Sequence, residues 1–266
     1  MTALLDVRNA TVAFGGLKAL DEASITVPEG ALCGLIGPNG SGKSTMLGAI
    51  SRLTPLTSGE LHLDGEEYTR VAPHEAASRG IGRTFQTVRL LAGMTVLGNV
   101  MFGAGAAAVR SRPVLTWLNV PKALSNESRA RKVAMEALER VGMTKYKGDY
   151  PLDLPYGLQR RAEIARALAA RPRLLLLDEP TAGMSQAERR DIGDLLSELH
   201  GHGLTQILVE HDLAMIHRVC DTCYALNFGK VIAHGTPREV AVDPGVLEAY
   251  VGGKAARADR APAQAP

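Results

Sequence analysis

The chain has 266 residues, enough for one large domain or a core with a subdomain. Hydrophobic residues make up 45% and charged residues 22%, an ordinary globular composition, and a net charge of +2 is too balanced to argue for nucleic acid or an anionic membrane surface. Aromatics at 4% also argue against a base-stacking surface.

The N-terminus, "MTALLDVRNATVAF", has no basic stretch followed by an apolar one, so no signal peptide is expected. "LLDVRNATVAF" and "ASITVPEG" alternate apolar and polar residues as strands do. "ALCGLIG" (31–37) is an apolar run ending in glycine, as a buried strand would be, and "KSTMLGAISRL" (43–53) follows at helical period. "GELHLDGEEY" reads as strand and turn. From about 93 to 170 the character changes to helix, in "TVLGNVMFGAGAAAV", "NESRARKVAMEALERVG" and "LPYGLQRRAEIARAL". Val133, Ala137, Leu138 and Val141 recur at helical spacing there, with Asn126 placed to cap the start. This stretch is an inserted helical subdomain.

Alternation then returns. "RLLLLDEP" reads as strand, "QAERRDIGDLLSELHGHG" as a helix ending at glycine, "QILVEH" as strand, "DLAMIHRVC" as helix, and "CYALNFGKVIAHG" as a strand pair followed by two short helices. Apolar strands alternating with helices imply an α/β fold with a mainly parallel, doubly wound sheet. The Ala/Pro-rich end is expected to be disordered. No internal repeat is visible, and no apolar run reaches the roughly 18 residues that cross a bilayer. The expectation is a cytoplasmic chain whose membrane role would come through a partner.

Cys220 and Cys223 form C-x-x-C in "RVCDTCYAL". One pair lacks the other ligands of a tetrahedral zinc site, and no redox βαβ context surrounds it. Two small buried apolar side chains are therefore expected. The odd cysteine count, with Cys33 isolated, fits a reducing compartment.

The strongest chemical signal is "GPNGSGKST", from Gly37 to Thr45, which matches G-x-x-x-x-G-K-[ST] between a buried strand and a helix. Glycines let consecutive backbone N–H groups curl around phosphate oxygens, and a helix N-terminus adds positive potential. Lys43 can reach the β- and γ-phosphates, and the Ser44 hydroxyl can ligate Mg²⁺. In "LLLLDEP" (174–180) two carboxylates leave the C-terminal end of a buried strand, the edge where open α/β sheets bind ligands. Asp178 suits outer-sphere Mg²⁺ coordination, and Glu179 is placed to polarise an attacking water. His211 ends "ILVEHD" at the same kind of sheet edge, where it could contact a γ-phosphate. Gln86, in "GRTFQTVRL", stands at the boundary between the α/β core and the helical insert.

Together these residues resemble the nucleotide-binding subunit of an ABC transporter, over residues 4–252. The resemblance implies a P-loop NTPase core with a parallel sheet, an N-terminal antiparallel β subdomain and the helical insert, with 253–266 as a disordered tail. "GPNGSGKST" looks like Walker A, so Gly37, Asn39, Gly40, Ser41, Gly42, Lys43, Ser44 and Thr45 are implied to bind ATP. "LLLLDEP" looks like Walker B, with Glu179 catalytic. Gln86 looks like the Q-loop glutamine and His211 like the switch histidine. Ser44, Gln86 and Asp178 are implied to hold Mg²⁺. Phe14, in "VAFGGLKAL", stands where the family places an aromatic against adenine; read without the family it would be a core phenylalanine. "TAGMSQAE" looks like the D-loop, although Ser185 stands where the family usually has an acid or amide.

"LPYGL" aligns with the family signature, commonly LSGGQ, which caps the γ-phosphate held by the opposite subunit. Tyr156 and Gly157 are thereby implied to meet the nucleotide of a second ATPase subunit, identical or paralogous. Pro155 and Leu158 depart from the motif, whereas Gly157 and Gln159-Arg160-Arg161 remain. Proline offers neither the hydroxyl nor the N–H of serine, which implies a weaker site. The pattern is closest to importer ATPases for branched-chain amino acids, in "FGGLKAL", "RTFQTVRLLAGMTVLGNV", "YGLQRRAEIARAL", "VEHDLAMI" and "FGKVIAHGTPREVAVDPGVLEAYVGG". That implies ATP hydrolysis coupled to integral membrane permease subunits, contacted by residues around 93–150. It also implies attachment to the inner face of the cell membrane, an extracytoplasmic solute-binding protein acting indirectly, and no nucleic acid partner. A weakly active or non-hydrolysing subunit of a heteromeric transporter, and a soluble non-transport ABC ATPase, stay open as alternatives.

Overall fold

A computed structural model describes residues 2–108 and 120–250; the tail expected to be disordered lies outside them. In chain order the elements are β1 (Ala3–Phe14), β2 (Leu17–Pro28), β3 (Leu32–Ile36), α1 (Lys43–Ile50), β4 (Ser58–Leu63), β5 (Glu66–Glu67), α2 (Pro73–Ser78), β6 (Ile81–Arg83), α3 (Val96–Ala108), α4 (Val120–Arg140), α5 (Tyr156–Ala169), β7 (Leu174–Asp178), α6 (Gln186–Gly201), β8 (Thr205–Val209), α7 (Leu213–Val219), β9 (Thr222–Asn227), β10 (Lys230–Gly235) and α8 (Pro237–Ala241). Residues 244–250 are also helical. The elements fall into two compact units, Met1–Arg70 with Ile207–Pro266, and Val71–Gln206.

The first unit carries an antiparallel sheet in the order β2-β1-β4-β5. Leu5 and Val7, then Ala10 and Val12, of β1 are enclosed at period 2 on either side of a register shift. Asn9, with φ of 47°, breaks the register of β1 and hands its N–H to Ser24 Oγ at 2.8 Å. The same unit contains β10, β9, β3 and β8 as successive neighbours. β3 runs parallel to β9 and every one of its residues is buried, which is why its sequence is apolar without alternation. β9 and β10 form a hairpin through Phe228 and Gly229, both at positive φ.

The second unit pairs β6 parallel with β7, and Leu174–Leu177 are fully buried. Each leucine so enclosed contributes about 1.5–3 kcal/mol of burial. The helices α3, α4 and α5 pack on one another. Ala134, Ala137, Leu138 and Val141 of the α4 region are buried, so the predicted apolar stripe faces the unit's interior with Ala134 in place of the half-buried Val133.

Three boundaries differ from the sequence reading. α1 stops at Ile50 rather than 53 because Arg52 turns left-handed, φ 61°, which a continuing right-handed helix does not allow. α4 starts at Val120, so Asn126 lies inside it and not at its start; an interior asparagine costs under about 0.7 kcal/mol relative to alanine, too little to stop a helix. β8 ends at Val209, leaving His211 beyond the strand. His211 lies in a bend, and Asp212, itself extended, caps α7 by accepting from the Ala214 and Met215 N–H groups.

Candidate functional site

In the first unit, the loop from Gly37 to Gly42 joins β3 to α1, and its glycines are required by space. A Cβ on Gly37, at φ 146°, would meet Leu226 O at 2.2 Å and Ser41 Oγ at 2.7 Å. A Cβ on Gly42, at φ 107°, would meet Ala19 O at 2.5 Å. Gly40 is also left-handed but faces open space. Asn39 and Gly40 are exposed at the crest of the loop. Lys43 is only 5% exposed, and its ammonium donates to Gly37 O and Pro38 O, each at 2.9 Å. Gly42 caps α1 without a side-chain bond and the first turn holds no acid, so the helix's leading N–H groups and its positive end suit an anion. Ser41 Oγ is buried with no hydrogen-bond partner. Such an orphan costs about 1–3 kcal/mol, which a phosphate oxygen would relieve. The loop therefore fits a polyphosphate. Ser44 is exposed and Thr45 half-buried at the start of α1.

Phe14 ends β1 with 57% of its surface exposed, so it is not a core residue. His211 is exposed in the bend before α7. Cys33 and Cys223 are buried and Cys220 is half-buried, all as free thiols. Cys33 is not isolated in space, because the ionised forms of Cys220 and Cys223 would repel its own. Burial pushes the Cys33 thiol up to about 12 and the Cys223 thiol up to about 11.

In the second unit, Asp178 ends β7 and pairs with Arg83 of β6, Nη2 to Oδ2 at 3.1 Å. Both are largely enclosed. Glu179 follows at φ 46°, a strained conformation for a non-glycine residue. The Gln86 amide Nε2 donates to Glu179 Oε2 at 3.1 Å, so these two predicted site residues are in contact. Among the described residues, no group of three or more His, Cys, Asp or Glu side chains is arranged to hold a metal. Magnesium that arrives with substrate phosphates needs only one or two carboxylates from the protein, so the lack of such a group does not conflict with that ion.

On α5 the sequence named Arg160 as a retained motif residue but not its buried pairing with Glu163. Arg160 is completely buried. Its Nη1 donates to Phe85 O at 2.6 Å and Glu163 Oε2 at 2.5 Å, and its Nη2 to Gln86 O at 2.6 Å and Tyr156 Oη at 3.1 Å. Glu163 also accepts the Arg89 N–H at 3.1 Å, and Arg166 donates to Arg89 O. The Arg83 and Arg89 guanidinium groups lie over the Phe85 ring at 5.2 and 4.2 Å. The stretch 85–89 is thus clamped by one helix.

That helix opens on the departed motif. Pro155 is its N-cap, at φ −52°, and supplies no side-chain bond. Gln159 Nε2 donates instead to Leu154 O at 2.9 Å. Tyr156 is 38% exposed. Gly157 is helical, and a Cβ there would meet only the flexible end of Glu188, at 3.2 Å. Ser185 caps α6 in a reciprocal box with Glu188: its Oγ accepts the Glu188 N–H at 3.4 Å, and the Glu188 carboxylate accepts the Ser185 N–H at 2.9 Å.

The sequence profile described as ABC transporter matches residues 20–182. The chain belongs to the ABC transporter family. A second profile, for branched-chain amino acid ATP-binding cassette transporters, matches residues 230–256 of this ABC subunit. It is 36% identical over 250 residues to the high-affinity branched-chain amino acid transport ATP-binding protein BraF of Pseudomonas aeruginosa, covering 94% of this chain and 98% of that protein. LivG of Escherichia coli, a protein of the same description, is 34% identical with the same coverage. The lipopolysaccharide export ATP-binding protein LptB of Haemophilus influenzae is 33% identical, over 94% of this chain and 97% of that protein. The crystal structure of an ABC cassette in its ADP conformation superposes with a TM-score of 0.82 at 31% identity, covering 95% of this chain and all of that one. A dimeric bacterial cassette superposes at 0.73 with 28% identity, covering 88% and 99%. This ABC subunit is an ATP-hydrolysing transport ATPase, and dimeric cassettes support a second ATPase subunit as its partner. Among the described residues, no helix is long and apolar enough to cross a membrane.

Proposed function

We propose that this ATPase powers import of branched-chain or related amino acids through membrane permease subunits. The observation that carries the reading is the match of residues 230–256 to the branched-chain amino acid cassette profile, beyond the general ABC match. Two ATPase subunits would close on ATP. The loop from Gly37 to Thr45 of one holds the phosphates, Phe14 stacks on the base, and Tyr156 and Gly157 of the other cap the γ-phosphate. Glu179 takes a proton from the attacking water while Gln86 holds the Glu179 carboxylate in position, and His211 steadies the γ-phosphate. The water oxygen bonds to phosphorus as the bridging bond to the β-phosphate breaks, giving ADP and phosphate. Ser44, Gln86 and Asp178 would hold Mg²⁺, which supplies charge neutralisation for the phosphates. The subunit would sit peripherally on the inner membrane face, its permeases receiving solute from an extracytoplasmic binding protein.

Pro155 favours a second reading of the same assembly. Loss of one charge-assisted hydrogen bond weakens the closed dimer by about 1.5–3 kcal/mol, so a paralogous subunit with an intact signature would complete the fast site. Reconstitution with co-purifying permeases in liposomes tests both. ATP turnover stimulated by binding protein loaded with leucine, isoleucine or valine is expected. Stimulation only by a chemically unrelated solute refutes the substrate class. A homodimer alone that hydrolyses at full rate refutes the weakened signature.

A further inference from the structure

The C-terminal helical residues 244–250 end on a side chain that reaches the phosphate loop. Tyr250 Oη accepts the Gly37 N–H at 3.0 Å. Gly37 is the first residue of that loop and the most confined of its glycines. Its carbonyl accepts from Lys43 Nζ at 2.9 Å, and Leu226 O fills the place of a Cβ at 2.2 Å. Tyr250 therefore holds the peptide group before Gly37 and the phosphate-binding lysine the one after it, so both flanks of this residue are pinned. Its bond spans 213 positions of sequence, so it ties two distant segments of one unit together. The hydroxyl is neutral around neutral pH, as an ordinary phenol is, and burial pushes the phenol further in that direction. Tyr250 also lies within residues 230–256, which match the branched-chain amino acid cassette profile.

We propose that Tyr250 is a positioning residue for ATP binding, through which the C-terminal segment and the phosphate loop act on each other. The inference rests on the reading that residues 37–45 hold the phosphates. When the loop wraps phosphate, Gly37 is held in a single conformation, and the Tyr250 hydroxyl supplies part of that order in advance. Coupling between two sites is reciprocal, so nucleotide must in turn tighten the segment around Tyr250.

The test uses the full chain and a fluorescent ATP analogue. Tyr250→Phe removes only the acceptor and keeps the ring. One hydrogen bond of this kind predicts analogue affinity weakened roughly threefold to tenfold. KM for ATP should rise by a similar factor with kcat nearly unchanged, a split that a general loss of folding would not give. Affinity within twofold of the parent overturns the proposal. Lys43→Ala is the control for the underlying reading: analogue binding that survives it would sink the phosphate-loop assignment itself. Hydrogen exchange of the parent protein supplies a second arm, should Tyr250→Phe fold poorly. Backbone amides of 244–250 are expected to exchange more slowly with ADP bound, and unchanged exchange overturns the coupling.

Discussion

Arg160→Met exposes how much the buried clamp on α5 matters. The substitution keeps the unbranched stem to about the place of Nε but removes the guanidinium head and its hydrogen bonds to Phe85 O, Gln86 O, Glu163 and Tyr156 Oη. Glu163, 1% exposed, would keep its charge with only the Arg89 amide and the more distant Arg166, at 3.8 Å, to compensate it. Breaking one side of a buried pair costs about 3–5 kcal/mol. At roughly 2–4 °C per kcal/mol for a chain of this size, Tm should fall by about 6–20 °C. The loss should depend on pH. Burial, the largest influence, already raises the Glu163 carboxyl above its ordinary 4.5, against the pull of Arg160. A carboxyl whose folded value lies above its unfolded one favours folding at low pH and loses that advantage as pH rises through the folded value. Without Arg160 the folded value climbs further, so the variant's deficit should shrink as pH is lowered and Glu163 takes a proton. Arg160→Met with Glu163→Leu should recover the part of the loss that comes from the unpaired Glu163 charge; the Arg89 N–H stays unpaired, at about 1–3 kcal/mol, and the Phe85 and Gln86 carbonyls stay without this donor. Turnover should stay low in both variants, since the carbonyls of Phe85 and Gln86 have lost their donor. Thermal unfolding across pH, read beside ATPase rate, decides it. A single variant that loses under about 1 kcal/mol, or a deficit independent of pH, refutes the clamp.

Pro155→Ser should raise homodimer turnover roughly tenfold or more, with little change in Tm. A serine cap adds about 1 kcal/mol, and removing proline's restriction of the unfolded chain takes back about 0.4–1; an unchanged rate would clear Pro155. Glu179→Asn should abolish turnover while stability holds within about 1 kcal/mol, because relief at φ 46° offsets the lost Gln86 bond. Retained ATPase activity would remove Glu179 from the chemistry. Ser185→Ala should cost about 1 kcal/mol in chemical denaturation and Ser185→Asp far less, since aspartate also caps helices; equal losses would deny the cap its role. Iodoacetamide at neutral pH should label Cys33 and Cys223 only slowly in the folded chain, since their thiols are pushed up to about 12 and about 11; rapid labelling would contradict that burial.

What the sequence discloses is what is local. The glycines of 37–42 announce a loop because three of them, at positive φ, fall within six residues, although the atoms that crowd Gly37 and Gly42 are distant in sequence, and β7 announces burial because four leucines leave no polar face. The clamp is not local. An Arg three residues before a Glu reads like any solvated helix pair, and only the packing of 85–89 against α5 turns Arg160 and Glu163 into enclosed charges. The bond from Tyr250 to Gly37 is hidden for the same reason, its partners being 213 positions apart. Ser185 is a different case, because its signal was in plain view. "SQAE" is a capping box by composition, yet alignment with a family motif presents the serine as a missing acid. The helix explains the residue better: Oγ and the Glu188 carboxylate satisfy each other's backbone partners at the start of α6. A departure from a motif therefore weakens a site only where the local structure gives the substituted residue nothing else to do. Ser185 has such a task and Pro155, an N-cap without a side-chain bond, does not. The signature loop, and not the D-loop, is where an altered catalytic rate should originate.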